Sequence, residues 1–212
     1  PPLNAMPELT KSLNIMYDLI PIYLNDTMEI IDSIRTLLII APSDSIPIKH
    51  LEKIDNFMER GGNVLLCFNA VDGDNNAMYG FEVKTGIENW LLQTKGIEVR
   101  KTFVIDVNCA TVSVSQSQGD YVMQSNIRFP YIPVITKFEN HPITKGLEST
   151  ILEFASPIIV KNSKYGKFTP LLYTSDKSGE ITPPVNFDIY KNWSENEFNK
   201  KNIIVGGILE LK

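Results

Sequence analysis

Cysteine and histidine are scarce in this chain, with two of each among 212 residues. A chain this long can bury a sizeable apolar core without covalent staples, and two cysteines say little about redox compartment. Cys67 and Cys109 each lie in or beside an apolar run and are expected to be buried free thiols. Neither His50 nor His141 has a metal-ligand partner close to it in sequence. Positive charge is not in excess either: 20 Lys and Arg stand against 25 Asp and Glu, a formal charge of -5 with no basic run. That balance argues against a nucleic-acid backbone or an anionic membrane surface as partner. No stretch approaches eighteen uninterrupted apolar residues, and no secretory leader is recognisable at the start, so the chain is expected to behave as a soluble domain. Its abrupt beginning at Pro1-Pro2-Leu3 and its end at Leu211-Lys212 lead us to expect a piece of a longer protein.

Hydrophobic residues make up 43% of the chain and charged ones 21%, the balance of a globular protein and far from that of a disordered one. The clearest organisation lies between Thr36 and Asp72. Leu37 to Ala41 is apolar at every residue, as in a strand covered on both faces. Ser43 to Ser45 offer caps, Pro47 suits a first helical turn, and Ile48, Leu51, Ile54 and Phe57 recur at helical spacing. That stripe should face a sheet, leaving Lys49, Glu52, Lys53 and Arg60 in water. Gly61 and Gly62 are suited to end the helix, and Val64 to Phe68 reads as a second covered strand that points Cys67 inward. Strand, helix, strand predicts a parallel crossover.

Outside that unit, Met6, Leu9, Leu13 and Met16 mark a helix, and Leu19 to Leu24, broken by Pro21, reads as a segment near a sheet edge. Ile87, Trp90 and Leu91 form a helical stripe ending near Gly96, and Ile97 to Asp106 reads as extended. Thr111 to Ile127 alternates apolar with polar residues, predicting an antiparallel hairpin. Ile151 to Phe154, Ile158 to Val160, Leu171 to Tyr173 and Ile203 to Leu211 are further strands, the last weakened by Gly206-Gly207. Together these predict one α/β domain over residues 1–212. Its expected form is an open, mostly parallel sheet flanked by helices, with an added antiparallel strand-rich part.

The positions where such a fold carries chemistry give little. Cys67 follows a strand, as a class I glutamine amidotransferase-like nucleophile would, but it lacks the flanking glycines of a tight elbow. Asp72-Gly73-Asp74-Asn75-Asn76 is an oxygen-rich loop. It resembles a calcium loop only superficially, because its glycine falls too early and no terminal Glu follows. As a loop at the carboxyl end of a parallel strand, it is a candidate ligand contact. No dinucleotide fingerprint or phosphate loop is present, and no cofactor or metal is expected. Between Gly179 and Asn199, Phe187, Tyr190, Trp193 and Phe198 place four aromatic rings in a polar excursion. These rings either pin the excursion to its own domain or serve as contact residues.

Several longer segments, taken in order, carry a resemblance. They are TLLIIAPSDSIPIKHLEKIDNFMERGGNVLLCFNAVD from Thr36 to Asp72, GIENWLLQTKGIEVRKTFVIDVNCATVSV from Gly86 to Val114, RFPYIPVITKFENHPITKGLESTILEFASPI from Arg128 to Ile158, and TPLLYTSDKSG from Thr169 to Gly179. The combination is similar to the extracytoplasmic part of the gliding-associated ABC transporter auxiliary protein GldG of Bacteroidetes. The resemblance implies a topology related to the class I glutamine amidotransferase-like fold, with no catalytic apparatus. It also implies a position on the periplasmic side of the inner membrane, with anchoring segments outside this chain, and ABC permease and ATPase subunits as partners. Family members carry an apolar strand and a Gly-His-Gly-Glu-like turn ahead of the first helix, where this sequence keeps only Pro1 to Met6. Gly61, Gly62, Asp106, Asn108, Cys109, Asn140, His141 and Pro142 match recurring motif positions with structural roles such as turn formation. The function this implies is that of a noncatalytic interaction module of an ABC transport complex, in gliding motility or related export. The alternative is a periplasmic carbohydrate- or peptide-recognition module using Trp193 and the Asp72–Asn76 segment, and a hydrolase is the third reading.

Overall fold

A computed structural model describes residues 3–118 and 121–211; the terminal Pro1, Pro2 and Lys212, on which the expectation of a fragment rests, lie outside the described residues. The chain divides into two compact units. The first runs to Phe68 and takes in Lys84–Ile87, and the second comprises Asn69–Val83 and everything from Glu88 onward.

The first unit contains α1 (Pro7–Leu13), β1 (Thr36–Ile40), α2 (Ile48–Glu59) and β2 (Asn63–Cys67). β1 and β2 pair in parallel, from Thr36 opposite Asn63 to Ile40 opposite Cys67. The predicted strand, helix, strand unit is therefore present. α2 ends where its glycines allow it to: Gly61 sits at φ 87°, and the N–H groups of Gly61 and Gly62 donate to the Met58 and Phe57 carbonyls. A Cβ on Gly62 would lie 2.4 Å from the Phe57 ring, so the residue must be small.

Other expectations for this unit need correction. On α2 the buried residues are Leu51, Lys53, Ile54 and Phe57, while Ile48 is 74% exposed. Lys53 is buried because Nζ donates to the Met28 carbonyl at 2.8 Å and pairs with Glu29 at 3.3 Å. Arg60 likewise reaches the Ile30 carbonyl at 2.9 Å. The irregular segment around Met28 to Asp32 thus lies along the helix flank that periodicity assigned to water, and it takes the ammonium and guanidinium ends of the long stems. Cys67 is exposed rather than turned inward, because β2 alternates and presents Asn63, Leu65 and Cys67 on its open face. No strand forms over Leu19 to Leu24, and α1 is shorter than the Met6 to Met16 stripe, with none of its own residues buried.

The second unit corrects the fold class. It contains β3 (Val71–Asp74), β4 (Tyr79–Glu82), α3 (Ile87–Trp90, whose first residue belongs to the other unit), β5 (Ile97–Val99), β6 (Phe103–Asp106), β7 (Cys109–Gln118) and β8 (Tyr121–Ile135). There follow β9 (Lys137–Phe138), β10 (Thr150–Ile151), β11 (Ile158–Val160), β12 (Gly166–Tyr173), β13 (Ser178–Ile181), β14 (Val185–Asn186) and β15 (Ile204–Leu211). Every strand pairing described in this unit is antiparallel: β3 with β4 and β4 with β14, β5 with β11, β6 with β13, β7 with β8, β8 with β10, β9 with β12 and β12 with β15. The open, mostly parallel sheet is therefore not the architecture, and β1 with β2 is the one parallel pair among the described residues. A parallel pair needs a crossover of a dozen or more residues between its strands, usually helical. α2 supplies one. α3 is only four residues long, continues as a π-helical turn over Leu91–Lys95 that ends at Gly96, and leads into a strand that pairs antiparallel.

The β7–β8 hairpin appears where Thr111 to Ile127 predicted it, with longer arms. The pairing of β12 with β15 shifts register beside Gly206 and Gly207, the irregularity anticipated there. The core of this unit is aromatic. Phe103, Phe129, Tyr131, Phe154 and Phe187 are buried together with Val71 and Ile105, and the Phe154 and Phe187 rings stack at 5.4 Å with 6° between their planes.

Candidate functional site

Two acidic places in the second unit hold several of the residues picked out from sequence. The first is Asp106, at the end of β6 and fully buried. Its oxygens accept from the Asn108 N–H at 2.7 Å, the Ser175 N–H at 2.7 Å and the Ser175 hydroxyl at 2.6 Å. Asn108 carries the connection onward, its side-chain amide donating to the Val134 carbonyl at 2.6 Å. Ser175 belongs to a turn whose neighbours Thr174 and Ser178 are also buried and share a hydroxyl bond of 2.8 Å. Two motifs nearly seventy residues apart, IDVNCA and TSDKSG, are thus tied by one carboxylate. A buried carboxylate is tolerated where donors surround it in this way.

An open depression of about 390 Å³ adjoins this junction, lined by Val107, Asn108, Arg128, Ser175, Asp176 and Lys177. Its cations are already engaged, Arg128 donating to the Val107 carbonyl and Lys177 pairing with Glu195 at 3.4 Å. Cys109 lies beside Arg128, yet burial pushes its thiol above the ordinary cysteine value, opposing the guanidinium, so a ready thiolate nucleophile is not formed. The Cys67 thiol is also raised by the protein around it, and both cysteines are free. Asn140, His141 and Pro142 form a turn closed by Thr144, whose hydroxyl donates to the Glu139 carbonyl at 2.6 Å, while His141 Nδ1 accepts from the Ile143 N–H at 3.2 Å. The motif residues therefore hold turns and a buried junction. Among the described residues no three His, Cys, Asp or Glu side chains gather as metal ligands.

The second place is the Asp72–Asn76 segment, and here the structure corrects the sequence reading. Val71–Asp74 is a strand, so the aspartates lie on an antiparallel hairpin and not in a loop beyond a parallel strand. Asp74 Oδ1 accepts from the N–H groups of Asn76 and Ala77, at 2.8 and 2.9 Å, which shapes the turn into β4. Asn75 reaches the Glu153 carboxylate at 3.3 Å. Across the hairpin, Asp72 stands opposite Phe81 and Asp74 opposite Tyr79. Alternation puts these four side chains on one face, and all four are exposed. Tyr79 and Phe81 stack at 6.4 Å with 20° between planes.

The opposite face of the hairpin is fixed by glycine. A Cβ on Gly73 would lie 2.5 Å from Phe154, and one on Gly80 2.6 Å from Phe103, with Phe187 within 2.8 Å of both positions. The hairpin backbone rests directly on the aromatic core, and its outer face is presented on a packed support. Tyr79 and Phe81 were missed in the sequence reading. The signal was there in Val71-Asp72-Gly73-Asp74 and Tyr79-Gly80-Phe81, two runs in which glycine alternates with large or charged side chains.

The aromatic excursion divides into separate fates. Phe187 is core, Tyr190 is 56% exposed, and Trp193 and Phe198 are half-buried. Trp193 packs on Tyr131 at 5.5 Å and Phe198 at 5.6 Å, with the Lys191 ammonium 4.0 Å above its ring. Lys191 also bonds Glu197 at 2.5 Å, which holds that carboxyl below its ordinary value, while burial and then the nearby Glu197 raise the Tyr131 phenol to about 12. Trp193 is thus clamped within its own unit.

The fold has a counterpart among solved structures. The N-terminal domain of mmIFT52 superposes with a TM-score of 0.54 over 84% of this chain and 68% of that one, at 15% sequence identity. At that identity the likeness is one of fold. A search of curated proteins found no match. The chain belongs to the family of ABC-type uncharacterized transport system proteins, the ABC transport auxiliary family, whose model matches residues 2–212. Membership places it among the noncatalytic auxiliary domains linked to ABC transport. No helix among the described residues is long and apolar enough to cross a membrane.

Proposed function

We propose that this chain is the extracytoplasmic interaction module of a membrane-anchored ABC transport assembly, working on the periplasmic side of the inner membrane in gliding-associated or related export. Its partners in that reading are the permease and ATPase subunits, and residues 1–212 act as one auxiliary domain. The family match along nearly the whole chain carries the reading. The use of the motif residues supports it: Asp106, Asn108, His141 and their neighbours are spent on turns and a buried junction. Co-purification of the full-length protein with its neighbouring permease is the expected result, and a folded protein that never recovers the permease would overturn the assembly. Carbohydrate or peptide recognition remains a second reading. With Trp193 packed against Tyr131 and Phe198, it rests on Asp72, Asp74, Tyr79 and Phe81.

A further inference from the structure

The outer face of β3 and β4 combines features that solubility alone does not call for. Two near-parallel rings and two carboxylates alternate across one small patch, each ring directly opposite a carboxylate. Several other acidic side chains in this unit have a cation. Glu180 has Arg100 at 3.2 Å and Lys200 at 2.6 Å, Glu98 has Lys161 at 3.1 Å, and Glu197 has Lys191 at 2.5 Å. Among the described residues, Asp72 and Asp74 instead accept only from local backbone N–H groups, from Gly73 at 2.8 Å and from Asn76 and Ala77. Among the described residues, neither has a Lys, Arg or His partner. The patch is therefore electron-rich and anionic without an internal counter-ion, on a backbone pressed against buried rings.

We infer that this face receives an arginine-bearing segment of a partner protein, the guanidinium lying on the Tyr79 and Phe81 rings and its N–H groups meeting the Asp72 and Asp74 carboxylates. A guanidinium is flat, weakly hydrated and forked, so it can satisfy ring faces and carboxylates together, which a compact ammonium does less well. A neutral sugar would use the rings but leave two negative charges with no cation, so charge complementarity favours arginine. The assignment rests on the interaction-module reading and names the chemistry of one contact within it.

Titration of the 212-residue chain with an (Arg-Gly)3 peptide, the same peptide carrying citrulline for arginine, and cellohexaose tests the inference by calorimetry and chemical-shift mapping. Saturable binding of the arginine peptide alone, with shifts at residues 72–81, is expected. Asp72→Asn with Asp74→Asn keeps the acceptor oxygens of the turn while removing both charges, and Tyr79→Thr with Phe81→Thr keeps strand-forming residues while removing both rings. Each pair should weaken binding about tenfold. The charge-matched control D176N with E195Q should bind like the unsubstituted chain. Equal loss in that control, equal binding of the citrulline peptide, or cellohexaose bound at Tyr79 would each overturn the assignment. In the full-length protein, undiminished permease recovery by D72N with D74N would overturn it while leaving the assembly standing. Failure of the unsubstituted protein to recover the permease would sink the assembly, and the peptide titration would then decide the face on its own.

Discussion

Asp106 and the Asp72 and Asp74 pair are the same residue type in the same unit, and they are used in opposite ways. Asp106 is fully buried, and three donors from two turns converge on it. Asp72 and Asp74 are exposed, and among the described residues their carboxylates accept only from backbone N–H groups of their own hairpin. Burial makes the first a fastener, because a carboxylate away from water is tolerated only while these donors surround it. Exposure leaves the second pair with attraction to spare for something outside the chain.

Removing the fastener should have the largest effect. Asp106→Ala removes the acceptor on which the Asn108 and Ser175 donors converge and is expected to cost about 3 kcal/mol in urea unfolding, as loss of a buried hydrogen-bonded junction does. A loss near zero would mean that water replaces the carboxylate and that the two motifs are not tied through it. Trp193→Ala comes next. The half-buried ring packs on Tyr131 and Phe198, so about 2 kcal/mol should be lost, below the range for a fully buried tryptophan. Unchanged stability would return Trp193 to the list of contact residues.

Glu180 lies between the extremes and sharpens the comparison through pH. Burial alone would raise its carboxyl, but bonds from Lys200, Thr102 and Arg100 outweigh burial and hold it below its ordinary value of 4.5. A carboxyl lowered on folding contributes stability that is present above 4.5 and lost as pH falls through the folded value. Thermal unfolding of Glu180→Gln should therefore show a shallower acid decline than that of the unsubstituted chain, and identical slopes would remove Glu180 as a source. The smallest effect is expected for Asp72→Asn with Asp74→Asn, within about 0.5 kcal/mol of the starting stability, the range of exposed substitutions. A large loss would show that these aspartates hold the hairpin together and are not available to a partner.

Much of the local structure was legible in sequence because it depends on neighbours along the chain. The α2 stripe of Leu51, Ile54 and Phe57, the glycines that end the helix, the parallel pairing of β1 with β2 and the hairpin after Thr111 follow from periodicity and turn chemistry. Lys53 and Cys67 were misplaced because the burial of one side chain depends on segments far away. The Met28 carbonyl lies 25 residues from Lys53, and Cys67 faces the open side of its strand. The candidate site was half visible. Asp72 and Asp74 stood out as an acidic cluster, but Tyr79 and Phe81 joined them only through hairpin register.

The sequence by itself determined the family, the helix between two parallel strands and the chain's strand-rich second half, since ordered motifs and periods of two and 3.6 residues are written in local residue order. Tertiary structure alone decided that the described strands beyond that parallel pair and the β7–β8 hairpin run antiparallel, that Asp106 fastens two motifs and that Gly73 and Gly80 carry the acidic hairpin on Phe103, Phe154 and Phe187. Strand direction follows from which distant segments bury each other's apolar faces, and a short apolar run has the same local pattern in either direction.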